Sequence, residues 1–545
     1  AYLYEAWFTA FIDPHGGFSG HVGPTSPYIW LLTWAYRAFG PGIWVPFGVN
    51  ALSLAIARAT MSLIARRLFG SPAGWATGVV LVLCGPLVFF GGLTVKTSLV
   101  LALASIGSYM TVLTLSGGGG WMTGGAILFF GLAALDRENL LVLIPWLFVL
   151  VTWRTWRERS VRAWMGTALS ATLVLLVLAH VANWRPGLSE PAGFSPVGLN
   201  FYAGNAPGSW GGYTPIRSIH NDLIGQRTEA PRVAALAVGH PLTRWDTSRY
   251  WLARSFDYWR QHPWSYMGLQ LRKLGLLFAQ GAQGLPEQYA VWRWHRPALA
   301  VAIVDMGIIW ALALPGLVFA RRQSRDTRVL FLMGAVALYA MSVWLFFVAA
   351  RYRITLLLFL APFAGLTLAR LVQSASVARW RLGLGVAMLY AASLMLNSLL
   401  PFGPGWSADP AATRFNEQSR LGAVVKMYRT QEAVVHHPTA TEWAALSGDV
   451  RERRDLTDAA RFARRAIELA PNRPLGYESL FRAQYARHDW ASLRTLRRQV
   501  AVLATHGDAH RRRFGNLHRL IDQALLAQIR QAPLTRRRPT ADTFR

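Results

Sequence analysis

Long apolar runs separated by short polar turns fill residues 1–405, and a shorter amphipathic pattern replaces them over 406–545. An α-helix rises about 1.5 Å per residue, so roughly 20 apolar residues cross a bilayer core. The pattern predicts ten transmembrane helices, near 42–64, 72–93, 94–115, 119–135, 138–153, 164–184, 298–319, 329–349, 354–371 and 382–402. Ser116 followed by Gly117 to Gly120 makes a tight uncharged turn between two of them. The interval 185–297 is rich in Trp, Tyr, Gly and Pro and is expected to fold as a large loop. Within it, 264–280 is amphipathic and suited to the membrane interface or to re-entry.

Positive charge in the short loops orients these spans, because Lys and Arg are retained on the cytoplasmic side. Arg66 and Arg67 follow the first span, and Arg154, Arg157, Arg159 and Arg162 follow the fifth. Arg321, Arg322, Arg325 and Arg328 follow the seventh, and Arg370, Arg379 and Arg381 follow the ninth. With ten alternating spans all four clusters fall on one face. Residues 1–41, Lys96, Asp136–Asn139, 185–297, Arg351–Arg353 and the C-terminal domain are then expected outside, on the non-cytoplasmic face of the plasma membrane.

Composition agrees with this division. The chain is 53% hydrophobic and 15% charged, where a soluble domain carries about 25% charged residues. Its net charge of +29 raises a nucleic-acid reading, with Arg511–Arg513 and Arg536–Arg538 as candidate phosphate contacts. Much of the remaining arginine lies in topogenic loops, and terminal Arg runs also suit a solvated face or anionic lipid, so nucleic acid is set aside. Cys84, the single cysteine, lies in an apolar run and excludes an internal disulfide or a cysteine metal site. The opening at Ala1, without Met or a leading apolar segment, suggests that a first helix is missing.

Over 441–473, Trp443, Leu446, Ala459, Ala463, Ala466 and Pro471 take the spacings of a 34-residue helix-turn-helix repeat, and Tyr477 and Leu480 begin another. Large residues fill the groove, alanines let paired helices approach and proline ends the second helix. The expected organisation is a polytopic domain over 1–405 and a tetratricopeptide-like domain with a basic tail over 406–545.

Ionisable groups at membrane depth are expensive and usually functional. The N-terminal stretch carries Glu5, Asp13, His15 and His21; GLTVKTSLVLAL carries Lys96; GLAALDREN carries Asp136, Arg137 and Glu138; a fourth turn carries Arg351, Tyr352 and Arg353. Separate cationic turns on one face suit a phosphate, since guanidinium forks pair phosphate oxygens and lysine adds a point charge. A carboxylate beside them is suited to deprotonate an acceptor hydroxyl. Each group has a plainer reading as a snorkelling anchor, a local ion pair or a turn.

In their order along the chain these pieces resemble the GT-C glycosyltransferases that use polyprenyl-phosphate donors. That superfamily includes protein O-mannosyltransferases, aminoarabinose transferases and the family 39 and RgtA-D-like membrane proteins. The resemblance runs over 1–375. It rests on the GFS…GPTS…FG stretch from Gly17 to Gly40, ARRLFG at 65–70, Lys96, GLAALDREN before Pro145, NFYAGNAPGSWGGY at 200–213 and ARYRITLLLFLAPFAGL at 350–366. It implies an all-α transmembrane bundle, here followed by a repeat solenoid, that transfers a sugar to an envelope acceptor on the external face. Glu5 would take the slot of the acidic residue in the first loop, with Asp13 second. Lys96, Arg137, Arg351 and Arg353 would hold the donor phosphate, and Asn200, Tyr202 and Asn205 would shape the sugar or acceptor site. Some relatives bind a divalent ion, although no dense ligand cluster is present to name as a metal site. Expected partners are the donor lipid, the bilayer, the acceptor and a protein bound to the repeats. A flippase for lipid-linked saccharides would need polar groups buried mid-span, of which the sequence offers Asn50, Ser53, Ser98, Ser105 and Asp305. A non-catalytic scaffold would leave Glu5, Lys96 and Arg351 scattered.

Overall fold

The computed structural model describes residues 6, 7, 10, 26–158, 161–183, 196–216, 219, 223–279, 299, 301–400, 430, 431, 433–435, 438–452, 456–505 and 508–531. Among these every regular element is a helix, apart from one isolated bridge between Cys84 and Val304. Two compact units divide the chain, Ala1–Phe415 and Asn416–Arg545.

The first unit begins with α1 (Pro27–Phe39), α2 (Trp44–Phe69), α3 (Ser71–Val82), α4 (Gly85–Gly91), α5 (Thr97–Thr114) and α6 (Gly120–Asp136). A 3-10 turn at Glu138–Val142 leads into α7 (Leu143–Arg157) and then α8 (Val161–Asn183). The long loop supplies α9 (Pro196–Asn205), α10 (Leu223–Val238), α11 (Arg244–Gln261) and α12 (Pro263–Phe278). The closing helices are α13 (Met306–Arg321), α14 (Thr327–Leu345), α15 (Ala350–Gln373) and α16 (Ser376–Leu399).

Six helical segments among the described residues are long and apolar enough to cross a bilayer: α2, α5, Glu138–Arg157, α14, α15 and α16. Shorter apolar helices occupy Ser71–Val82, Gly120–Asp136, Met165–Leu178 and Met306–Arg321, so apolar helices coincide with all ten expected spans. Burial sorts them into layers. The most apolar stretch of α15 is 83% buried and that of α5 78%, whereas that of α16 is 6% buried. A helix apolar all round that is enclosed by others is core, and one left uncovered needs lipid. Trp380, Leu384, Met388, Met395 and Leu399 give α16 such a face.

Small residues set the closest approaches, as dispersion packing between membrane helices favours. A Cβ at Gly316 of α13 would collide with the Phe363 carbonyl of α15. The expected second span is broken in two, which the continuous apolar pattern concealed. Between α3 and α4 Cys84 is extended, and Gly85 N–H donates to the Val304 carbonyl at 2.9 Å while Val304 N–H donates to the Leu83 carbonyl at 3.0 Å. These two bonds satisfy backbone groups that a lipid environment would leave orphaned. Asp305 then caps α13, its Oδ1 accepting from Ile308 N–H at 2.9 Å.

Other polar groups within the spans also serve the backbone. Asn50 donates to the Leu93 carbonyl at 2.6 Å, Ser53 to Val49 at 2.7 Å and Ser105 to Ala102 at 2.8 Å. Arg58, a charge in the interior of α2, was absent from the polar positions singled out in the sequence; its Nε and Nη2 are buried without a hydrogen bond.

The second unit contains α17 (Ala440–Glu452), α18 (Leu456–Leu469), α19 (Pro474–Ala486), α20 (Trp490–Thr505) and α21 (Asp508–Gln531). Trp443 packs on Phe462 at 5.4 Å between ring centroids, and Ser447 Oγ donates to the Ala459 carbonyl at 2.7 Å. Ala459, Ala463 and Ala466 are buried between helices, and Tyr477 meets Phe514 edge-on at 5.5 Å. Of the repeat-like positions, Trp443, Leu446, Ala459, Ala463, Ala466, Tyr477 and Leu480 are buried and Pro471 is exposed.

Candidate functional site

Three turns meet at the ends of the apolar helices. Lys96 precedes α5, Asp136 and Arg137 follow one another at the end of α6, and Arg351 and Tyr352 lie in the first turn of α15. Burial of Asp136 places a carboxylate where water cannot solvate it, so its oxygens need donors. Ser26 Oγ donates to Oδ1 at 2.6 Å, Tyr28 N–H donates to Oδ2 at 3.2 Å, and the Lys96 ammonium lies 3.8 Å from Oδ1. Lys96 remains 27% exposed and Asp136 is fully covered, so of this pair the lysine is the member that reaches the surface.

Arg137 is also buried, for a different purpose. Its Nη1 donates to the main-chain carbonyl of Arg351 and, at 2.6 Å, to Thr355 Oγ1, while Nη2 donates to Thr97 Oγ1 at 3.3 Å. The guanidinium lies 5.3 Å from the centroid of the Tyr352 ring, and that of Arg351 lies 5.2 Å from the same ring. Arg137 thus ties the start of α5 to the start of α15, bonding Thr97 next to Lys96 and the main chain of Arg351. Arg353 points away from this group. It is 2% exposed, and its Nη2 donates to the Ala279 carbonyl just beyond α12.

The loop helices close on the same turn. Tyr213 packs edge-on against Phe347 at 5.4 Å, and Phe347 against Tyr352 at 5.5 Å. Tyr213 Oη accepts from Gln226 Nε2 at 2.8 Å. Burial raises the Tyr213 phenol above its ordinary value, and the nearby Arg351 charge pulls against that rise. Asn200, Tyr213 and Gln226 line one small cavity with Leu199, Ala203 and Ile216.

Tyr202 instead packs on Trp251 at 5.0 Å in the apolar contact between α9 and α11. Asn205 is fully buried, with Nδ2 donating to Phe201 at 2.9 Å and Leu345 at 3.0 Å. Its Oδ1 accepts from Lys273 Nζ at 2.7 Å, Gln270 Nε2 at 3.0 Å and Tyr266 Oη at 3.3 Å.

Lys96, Arg137 and Arg351 therefore gather, with Asn200 on the loop side, while Arg353, Tyr202 and Asn205 are committed to packing. Glu5 and Asp13 lie outside the described residues, as do His15 and His21. Ser26, Thr97, Tyr213, Gln226 and Thr355 join the site without having been singled out in the sequence. Tyr352 stood between two flagged arginines and was legible; Thr355 and Gln226 carried no signal above an ordinary polar position. Among the described residues no group of His, Cys, Asp and Glu is arranged to hold a metal ion.

Helices of this length and polarity, with apolar faces left uncovered, define a multi-pass α-helical membrane protein. No family model matches the chain, and no curated protein does. Two solved structures share a distant likeness: ArnT from Cupriavidus metallidurans bound to undecaprenyl phosphate, and the same protein in the apo state. The first is 13% identical over 93% of this chain and 75% of that one, with a TM-score of 0.41. The second is 14% identical over 92% and 75%, with a TM-score of 0.39. Likeness at that level establishes neither descent nor activity.

Proposed function

We propose that this protein is a membrane glycosyltransferase that moves a sugar from a polyprenyl-phosphate carrier to an envelope acceptor, at a site on the external face. The observation that carries the reading is the meeting of cationic turns: Lys96 beside Asp136, and Arg137 bonded to the turn that presents Arg351 over Tyr352. Two cations with partial exposure at the end of an apolar bundle suit an anionic headgroup whose tail stays in lipid. In this assignment Lys96 and Arg351 contact the donor phosphate. Arg137 holds the Arg351 turn, and Tyr213, Asn200 and Gln226 offer the polar surface nearest to it for a sugar or acceptor. Glu5 is the proposed general base, with Asp13 second. A flippase would draw on polar groups within the spans, of which Asn50, Ser53 and Ser105 are bonded to backbone carbonyls and the buried Ser98 hydroxyl has no hydrogen bond; a scaffold would have no need of the meeting of turns.

The deciding experiment follows radiolabelled sugar from a polyprenyl-phosphate donor into envelope acceptors by the full-length protein in liposomes. Transfer that falls at least tenfold in both Lys96→Ala and Arg351→Ala, with protein yield retained, is expected. Loss in Glu5→Gln at unchanged donor binding identifies the base. Wild-type movement of intact donor across the bilayer without bond cleavage would replace this reading by the flippase.

A further inference from the structure

Lys273 lies in the middle of α12 and is fully buried. An ammonium placed out of water needs compensation for its lost hydration. Its Nζ donates to Asn205 Oδ1 at 2.7 Å, to the Phe346 carbonyl at 2.7 Å and to the Leu345 carbonyl at 3.4 Å. Those two carbonyls belong to the last residue of α14 and the one after it, where a helix leaves acceptors unsatisfied. Asn205 donates to the same pair, and Trp344 Nε1 donates to the Gln270 carbonyl at 3.0 Å. Gly204 lets the backbone of α9 come against Phe346, where a Cβ would collide with its carbonyl. One side of the turn between α14 and α15 is therefore fastened to α12 through Lys273. The other side is fastened through Arg353 and the Ala279 carbonyl. Arg351 and Tyr352 lie between the two fastenings.

We propose that Lys273 is a positioning residue, whose buried amine fixes the 345–350 segment and so holds Arg351 and Tyr352 against Arg137. The inference rests on the proposed donor site for its consequence in turnover, and on geometry alone for its consequence in structure. Lys273 touches neither the site cavity nor the cationic group, so its effect travels through the backbone it bonds. Charge gives the cluster a signature that apolar packing lacks. Burial pushes the Lys273 ammonium down to about 7, against about 10.4 in an unfolded or opened chain. The closed cluster then binds fewer protons than the opened one, so its closure is strongest above about pH 10.4 and weakens as pH falls toward 7. Tyr266 is the other titratable group bonded into the cluster, and burial raises its phenol. The partners from α9 and from the end of α14 are an amide and two carbonyls, which do not titrate.

Hydrogen exchange of the full-length protein in nanodiscs, corrected for the intrinsic pH dependence of exchange, reads the segment directly. Protection of the 345–352 amides is expected to rise toward tenfold per pH unit across about pH 7.5–9.5 in wild type. Lys273→Met should lower that protection at least tenfold at pH 9 and remove the pH dependence, while the amides of α5 and those of α15 beyond Arg353 keep theirs. Lys273→Arg, charged throughout, should also be independent of pH, and its presence keeps the test open if the Met variant does not fold. With a polyprenyl-phosphate donor, Lys273→Met should raise KM at least fivefold and change kcat less than twofold. Equal 345–352 exchange in wild type and Lys273→Met overturns the proposal. Exchange that behaves as expected in a protein without transfer activity overturns the glycosyltransferase reading and leaves the positioning role standing.

Discussion

At the scale of single residues, the site is organised by two buried charges with opposite duties. Asp136 holds Lys96 through an ion pair and accepts from Ser26 and Tyr28. Removing the carboxylate leaves the Ser26 hydroxyl and the Tyr28 N–H as buried donors without an acceptor, at about 1–3 kcal/mol. Asp136→Ala is therefore expected to lower the thermal midpoint in detergent by more than any exposed carboxylate substitution such as Asp246→Ala. Gly204→Ala tests the close approach of α9 to Phe346. Overpacking there should cost about 1–3 kcal/mol, and its effect should appear in the exchange of residues 345–352 before it appears elsewhere. Lys96 and Arg351 were legible as lone cations in apolar sequence. The duties of Arg137 and Arg353 were not, since a guanidinium bound to a distant carbonyl and one facing a ligand carry the same sequence signal.

At the scale of elements, the helices follow their apolar patterns closely and depart where two segments share a task. The break between α3 and α4 depends on Val304, over 200 residues away, and periodicity within one span cannot report such a partner. Val304→Pro deletes the N–H that bonds Leu83 and should cost about 1–3 kcal/mol, measured as loss of monodisperse protein on heating. In the second unit, Ala463 lies between α18 and its neighbours with no exposed surface. Ala463→Leu should destabilise by about 1–3 kcal/mol through overpacking. Arg465→Ala, which removes a pair with Glu468 whose side chains are 54% and 59% exposed, should change stability by less than about 1 kcal/mol. A tetratricopeptide array is our proposal for this unit, supported by buried alanines at the repeat spacings.

At the scale of the whole molecule, arginine in the short loops makes a topological prediction. With Cys84 replaced by Ser, a cysteine at His240 should react with a membrane-impermeant maleimide in intact cells, and one at Gln323 only after permeabilisation. Both positions are exposed on the protein, so labelling reports sidedness, and the reverse pattern would move the proposed site to the cytoplasm. The sequence by itself determined that this chain is a bundle of apolar helices with a helical domain of different character behind it. Lengths of apolar run, loop charge and alanine spacing are local quantities, and water and lipid act on them residue by residue. Tertiary structure alone decided which polar groups meet, which helix is core and which is rim, and that one expected span is broken. It also separated the partly exposed Lys96 and Arg351 from the buried Arg137, Arg353 and Lys273. That distinction depends on carbonyls and hydroxyls brought from elements far apart in the chain, and every residue has the former whatever its side chain.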